Sequence, residues 1–136
     1  MTLKYLLDTN IVSYYLRRTS PELELHLNKA LASQSVCISV LTRAELRYGQ
    51  AGMTAEDKRR GLIDRFLLRL PNLQWTEAAA DRYGDIKAAH RRMGTLIGEI
   101  DTQIASHALT ENLILVTHNT RHFERVPDLK LEDWTM

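Results

Sequence analysis

Residues 4–16 read KYLLDTNIVSYYL. A short apolar run, Tyr5 to Leu7, stops at Asp8, and a second apolar pattern begins at once. Ile11, Val12, Tyr15 and Leu16 recur at the three- and four-residue steps of one helix face. The stretch therefore predicts a buried strand that turns directly into a helix. The carboxylate at the joint can cap that helix. It can also serve chemistry, because ligands of parallel α/β sheets gather beyond the carboxyl ends of the strands.

The same alternation continues along the chain. Ser20 and Pro21 predict a helix start, with Leu23, Leu27 and Leu31 on one face to about Ala32. SVCIS (35–39) is brief and rich in β-branched residues, so it predicts a strand. VLTRAELRYGQAG follows as a helix, with Gly49 and Gly52 marking its end. TAEDKRRGLIDRFLLRL predicts a long helix that stops before Pro71, with Thr54 and Asp57 as a capping box. LQW (73–75) is a weak strand. Residues 76–93 carry a helical stripe of Ala79, Tyr83, Ile86 and Ala89 or His90. GTLIG (94–98) is a loop bracketed by glycines, EIDTQIASHALTEN a helix, and LILVT (113–117) the clearest strand. NTRHFERV is a short helix and LKLEDW a last strand. This order predicts one α/β domain over residues 1–136, a parallel sheet of four to five strands with helices on both faces.

Composition sets outer limits. Of 136 residues, 44% are apolar and 26% charged, which suits a packed core rather than disorder. The net charge of +1, from 18 basic and 17 acidic residues, neither favours nor excludes a polyanionic partner. The single cysteine, Cys37, lies in an apolar run and forms no internal disulfide, so an inert buried thiol and a reducing, cytoplasmic setting are expected. No apolar run approaches the ~20 residues of a membrane helix, and no signal-peptide h-region opens the chain. Zinc-spaced Cys/His sets, GxGxxG and Walker A patterns are all absent from the sequence.

Four polar residues stand where the predicted topology places ligands. Asp8 follows the first strand and Asn119 lies two residues past LILVT; either can simply cap the next helix. Glu45 fits a capping box with Thr42. A helix beginning nearer Ser39 would instead put Glu45 inside it, beside an apolar face of Leu41, Ala44 and Tyr48. Asp101 heads the stripe Asp101, Ile104, Ala105, Ala108, the face that should pack on the sheet. Attraction to the helix N-terminus contributes only ~0.3–1 kcal/mol, little against the cost of burying a charge. Glu99 lies about 200° round the helix from Asp101 and is an outer candidate only. Carboxylates gathered this way repel and call for a cation. An all-oxygen donor set suits Mg²⁺ or Mn²⁺.

The segments YLLDTNIVSYYL, ISVLTRAELRYG, IGEIDTQIASHAL and LVTHNTRHFERVPDL resemble the PIN-domain ribonucleases, and among them the VapC toxins of bacterial toxin–antitoxin pairs. The likeness runs from about residue 3 to the terminal Asp133-Trp134. It implies a PIN-like fold, with Asp8, Glu45 and Asp101 as ligands of Mg²⁺ or Mn²⁺ and Asn119 at a fourth catalytic position that holds Asp or Asn in the family. Thr9 and Thr117 would support the site as hydroxyl donors, with Glu99 in an outer role. The resemblance further implies hydrolysis of RNA by water, leaving 5′-phosphate and 3′-hydroxyl ends. The expected substrate is a tRNA, initiator tRNA by likeness to enterobacterial-type members, and the expected outcome is arrest of translation and growth. A homodimer and a VapB-type antitoxin partner in the cytoplasm are implied as well.

Substrate capture needs local positive charge. Arg91, Arg92 and Arg121 lie close in sequence to site-bearing segments and rank ahead of Arg17, Arg18, Lys58 to Arg60 and Arg125. Of His107, His118 and His122, His118 is nearest the site in sequence and is the candidate for RNA contact or leaving-group protonation. Tyr14, Tyr15 and Tyr48 suit core or interface packing better than base stacking. Two rival readings compete. A receiver-like signalling domain fits poorly, since SVCIS and LQW end in no aspartate and Asp8 is followed by Thr. A PIN scaffold that binds RNA or protein without cutting is favoured only by the neutral Asn119.

Overall fold

In the computed structural model, which describes residues 2–136, the first strand β1 (Tyr5–Leu7) lies at the centre of a five-stranded parallel sheet. Met1, the first residue of the expected 1–136 span, lies outside the described residues. The other strands are β2 (Val36–Ser39), β3 (Asn72–Leu73), β4 (Ile114–Val116) and β5 (Leu131–Glu132), in the spatial order β3-β2-β1-β4-β5. β1 pairs in parallel with β2 through Leu7 and Ile38, and with β4 through Leu7 and Val116. Strands this short and this central are buried on both faces, which is why they read as apolar runs rather than as alternation.

Successive side chains of a strand point to opposite faces, and the core divides accordingly. Leu7, Val36, Ile38 and Val116 face one cluster with helices α1 (Thr9–Leu16), α2 (Pro21–Ala32) and α4 (Arg59–Arg69), with Ile11, Leu27 and Phe66 among its members. Leu6, Cys37 and Leu115 face the other cluster with α6 (Glu99–Thr110), including Ile104, Ala105 and Ala108, and with Phe123 of α7 (Thr120–Phe123). Each fully buried Leu or Ile contributes about 1.5–3 kcal/mol. The remaining helices are α3 (Val40–Ala51) and α5 (Glu77–Met93), and α5 lies against the outer side of α6.

Local chemistry sets the boundaries. Ser20 caps α2 by accepting from Leu23 N, with Pro21 at the first helical position. Thr76 caps α5, which ends on Gly94 in the left-handed region, and Gly98 (φ 100°) opens the entry to α6. Three expectations are corrected. The helix expected from Thr54 begins at Arg59, because Asp57 turns back to its own neighbour, accepting from Arg59 N and binding its guanidinium. The strand expected at 73–75 is Asn72–Leu73, directly after Pro71, whose carbonyl accepts from Ile38 N. The buried face of α3 is Thr42, Leu46 and Gln50 rather than Leu41, Ala44 and Tyr48, and Tyr48 is 85% exposed. Neither Gly49 nor Gly52 adopts a left-handed cap; Gly49 is helical and Gly52 ends α3 in ordinary right-handed geometry.

Candidate active site

Asp8 occupies the joint between β1 and α1 and is only 6% exposed. Its backbone N–H donates to Val116 O, continuing the sheet ladder one step past the strands. Oδ1 accepts from Ile11 N at 2.9 Å, so Asp8 does cap α1. Its other oxygen is left to the sheet edge, where Oδ2 accepts from Thr117 Oγ1 at 2.6 Å. Thr117 in turn accepts from Asn119 N at 3.0 Å. Burial lifts the pKa of Asp8 above the ordinary carboxylate value. The bonds from Thr117 and Ile11 oppose that lift, and the nearby charge of Asp101 adds to it. The carboxylate therefore carries a like-charge neighbour without a countercharge of its own.

Glu45 reaches the same edge from α3. The hydroxyl of Thr9, the residue after Asp8, donates to Glu45 Oε1 at 2.6 Å. With its one proton so used, Thr9 accepts from Thr42 at 3.1 Å. Thr42 is thus committed to Thr9 rather than to a capping box; Ser39 caps α3 by accepting from Leu41 N.

Asp101 stands in the first turn of α6, its side chain 42% exposed, and its Oδ2 lies 3.0 Å from His122 Nε2. The same nitrogen donates to Ile97 O at 2.7 Å. The imidazole against Asp101 is therefore that of His122; His118 is turned away, with Nδ1 toward Asp133 and Thr135. Partial exposure at the helix start limits the desolvation cost that made this position conspicuous. Asn119 precedes α7, but its side chain makes no capping bond and is exposed. Glu99 is pulled the other way, both oxygens 2.9 Å from Lys87 Nζ of α5. Arg91, Arg92 and Arg121 are exposed. Arg18 pairs with Glu24 and Arg59 with Asp57.

Glu45 is tied to Thr9, the residue after Asp8, and Asp101 lies near enough for its charge to add to the raised pKa of Asp8. Among the described residues, no three His, Cys, Asp or Glu side chains are drawn tightly enough together to hold a metal ion as they stand. Each acid leans on a different neighbour: Asp8 on Thr117, Glu45 on Thr9 and Asp101 on His122. The donor chemistry nevertheless fits a hard divalent cation, being all oxygen and built round a carboxylate that burial and a like charge make costly to ionise. A groove of about 360 Å³ runs from this edge, lined by Thr9, Asn10 and Glu45 with Leu46, Met53 and Ile63.

Two features had no sequence signal. The approach of His122 to Asp101 joins α7 to α6 across a separation that no spacing rule covers. Below the site, His107 is fully buried. Its Nε2 donates to Gln74 O at 3.1 Å, and its Nδ1 accepts from Ser39 Oγ at 2.8 Å. Cys37 is free and buried, and desolvation pushes its thiol up to about 12, the inert state expected.

Residues 5–129 match the model of the PIN domain family. Over 132 residues the chain is 42% identical to ribonuclease VapC2 of Haemophilus influenzae, covering 97% of this chain and 98% of that one. It is 36% identical, over the same shares, to the tRNA(fMet)-specific endonuclease VapC of Salmonella typhimurium. Among solved structures, the DNA-bound VapBC complex from Salmonella typhimurium superposes with a TM-score of 0.89 at 35% identity, covering 97% of this chain and 98% of that one. Among the described residues, no helix is long and apolar enough to cross a membrane.

Proposed function

The chain belongs to the PIN domain family, in its VapC branch, and from that membership we propose that it is a metal-dependent endoribonuclease toxin held in check by a VapB-type antitoxin. The observation that carries the chemistry is Asp8: a buried carboxylate at the carboxyl end of the central strand, its pKa raised by burial and by the charge of Asp101. A structural cap has no need of a second acid facing it. In this reading Asp8, Glu45 and Asp101 hold Mg²⁺ or Mn²⁺. When bound, such an ion lowers the pKa of water and neutralises charge that builds on the phosphate during hydrolysis.

The protein's own groups do the orienting. Thr117 and Ile11 N fix both oxygens of Asp8. Thr9 fixes Glu45, and Asn119 offers a neutral amide beside Thr117 for water or for a phosphate oxygen. Asn at this position lowers the site's negative charge by one relative to Asp and weakens its pull on the cation. In-line attack by water on an RNA phosphodiester breaks the bond to the 3′ oxygen, leaving 5′-phosphate and 3′-hydroxyl ends.

A tRNA substrate, and initiator tRNA in particular, follows by analogy with the relatives whose names specify tRNA(fMet), and with it an arrest of translation. The solved VapBC complexes support a VapB-type partner, and a homodimer bound to that antitoxin belongs to the same proposal. The test is RNA cleavage by the purified chain with Mg²⁺ or Mn²⁺, beside Asp8→Asn and Asp101→Asn. Cleavage by the wild type alone, with 5′-phosphate ends, is expected. A 2′,3′-cyclic phosphate product, or equal cleavage by the variants, overturns the assignment. RNA binding without cleavage would favour the non-catalytic reading that the neutral Asn119 leaves open.

A further inference from the structure

The chain orients one exposed imidazole, His118, with more care than a surface histidine requires. The side chain of Asp133 is only 8% exposed and is pinned by Thr135, whose hydroxyl and backbone N–H donate to Oδ1 at 2.6 and 2.9 Å. Its other oxygen lies 3.2 Å from His118 Nδ1, and Thr135 Oγ1 lies 3.0 Å from the same nitrogen. A carboxylate only accepts, so Nδ1 carries the proton and Nε2 is left free on a ring that is 57% exposed. Burial alone would raise the Asp133 carboxyl; the bonds from Thr135 and His118 outweigh it and hold the pKa below the ordinary value, so the anchor stays charged.

The ring does not stand alone. Tyr14 of α1 and His118 stand nearly perpendicular with 6.1 Å between ring centroids, and the Arg17 guanidinium lies over the Tyr14 ring at 5.5 Å. Arg17 is steadied by donation from Nε to Ser13 O. Asn10, Ser13, Tyr14 and Arg17 recur at helical spacing, so one stripe of α1 leads away from the acids. Arg17 lines the acidic groove with Thr9 and Glu45, while Tyr14 and His118 line a neighbouring cavity of about 380 Å³. His118 itself sits between Thr117, the partner of Asp8, and Asn119.

Resting on the ribonuclease reading, we propose that His118, Tyr14 and Arg17 form a subsite for unpaired RNA beside the cleavage centre. The two rings take a base and the guanidinium takes a backbone phosphate. Aromatic and imidazole faces stack on splayed bases, and arginine suits phosphate through paired donors. The occupant is an unpaired nucleotide flanking the cut rather than duplex RNA, whose stacked bases leave no face to share.

The competing explanation is that His118 merely ties the C-terminal tail to the β4–α7 loop. His118→Asn separates the two, because the Asn amide can still donate to Asp133 and Thr135 while the outer edge of the ring is lost. Binding is read by fluorescence anisotropy of a labelled RNA stem-loop on the non-cleaving Asp8→Asn protein, with thermal melting of each variant. His118→Asn and His118→Ala are expected to weaken stem-loop binding about tenfold each, the scale of one lost base contact, with a perfect RNA duplex unaffected. Wild-type binding by His118→Asn together with loss in His118→Ala would reduce His118 to a tether and overturn the subsite. So would unchanged RNA binding with lost affinity for the antitoxin. If the Asp8→Asn protein binds no RNA and the wild type cuts none, the ribonuclease reading itself fails and the subsite falls with it.

Discussion

Two of the places where the protein buries polar side chains differ in how their charge is answered. In the interior, Ser39, His107 and the Gln74 carbonyl form a one-way chain of hydrogen bonds in which each donor meets an acceptor. At the sheet edge, Asp8 accepts hydrogen bonds from Thr117 and Ile11 N, but burial and the charge of Asp101 both work against its ionisation. The first arrangement is complete in itself, and burial pushes the pKa of His107 down, keeping the ring neutral. The second, in the function proposed above, is completed by a bound cation. A polar group that the fold leaves electrostatically unanswered points to a partner from outside.

That contrast yields outcomes of decreasing size. Asp8→Asn should reduce RNA cleavage by more than ~100-fold, beyond what loss of a mere supporting residue costs. The same change should stabilise the protein free of divalent ions, because Asn still caps α1 and no longer brings a charge into the interior. The Asp8 pKa is raised in the folded state, so its ionisation disfavours the fold. Stability is therefore full below the ordinary carboxylate range and declines as pH rises through the raised value. In thermal melts, the advantage of Asp8→Asn should accordingly grow from acid toward neutral pH. An advantage that shrinks with rising pH would place the strain elsewhere.

Thr117→Val removes the donor to Asp8 Oδ2 without changing the side-chain shape much. Cleavage should fall ~10–100-fold, the usual cost of losing an outer partner of a metal ligand. Ser39→Ala acts on the satisfied set: it strips the cap of α3 and orphans His107 Nδ1, so urea denaturation should show a loss of about 1–3 kcal/mol. The His107 pKa is lowered in the fold, so its contribution is full above the ordinary histidine value and is lost as pH falls below it. Smallest of all, Cys37 should resist alkylation at neutral pH until the protein unfolds, since its thiol is buried and pushed up to about 12.

The elements that position Asp8 and Asp101 were readable because local pattern decided them. An apolar run broken by a carboxylate located the end of β1, and a carboxylate heading the apolar stripe of α6 marked Asp101. Glu45 was placed on α3 correctly but for a mistaken face: Tyr48 is exposed, and polar Thr42 and Gln50 are buried because each has a hydrogen-bond partner. Periodicity counts apolar residues and cannot see such pairing. The same limit hid His122 and the Ser39–His107 bond, both made between residues far apart in sequence. The late start of α4 followed from Asp57 bonding to Arg59, a short-range competition that the capping pattern did not weigh.

The most direct measurement is the melting temperature of wild-type and Asp8→Asn protein across a Mn²⁺ titration. Mn²⁺ should raise the wild-type value until the advantage of the variant disappears, while leaving Asp8→Asn nearly unmoved. A wild-type melting temperature indifferent to Mn²⁺, or an equal rise in both proteins, would contradict a cation site built on Asp8.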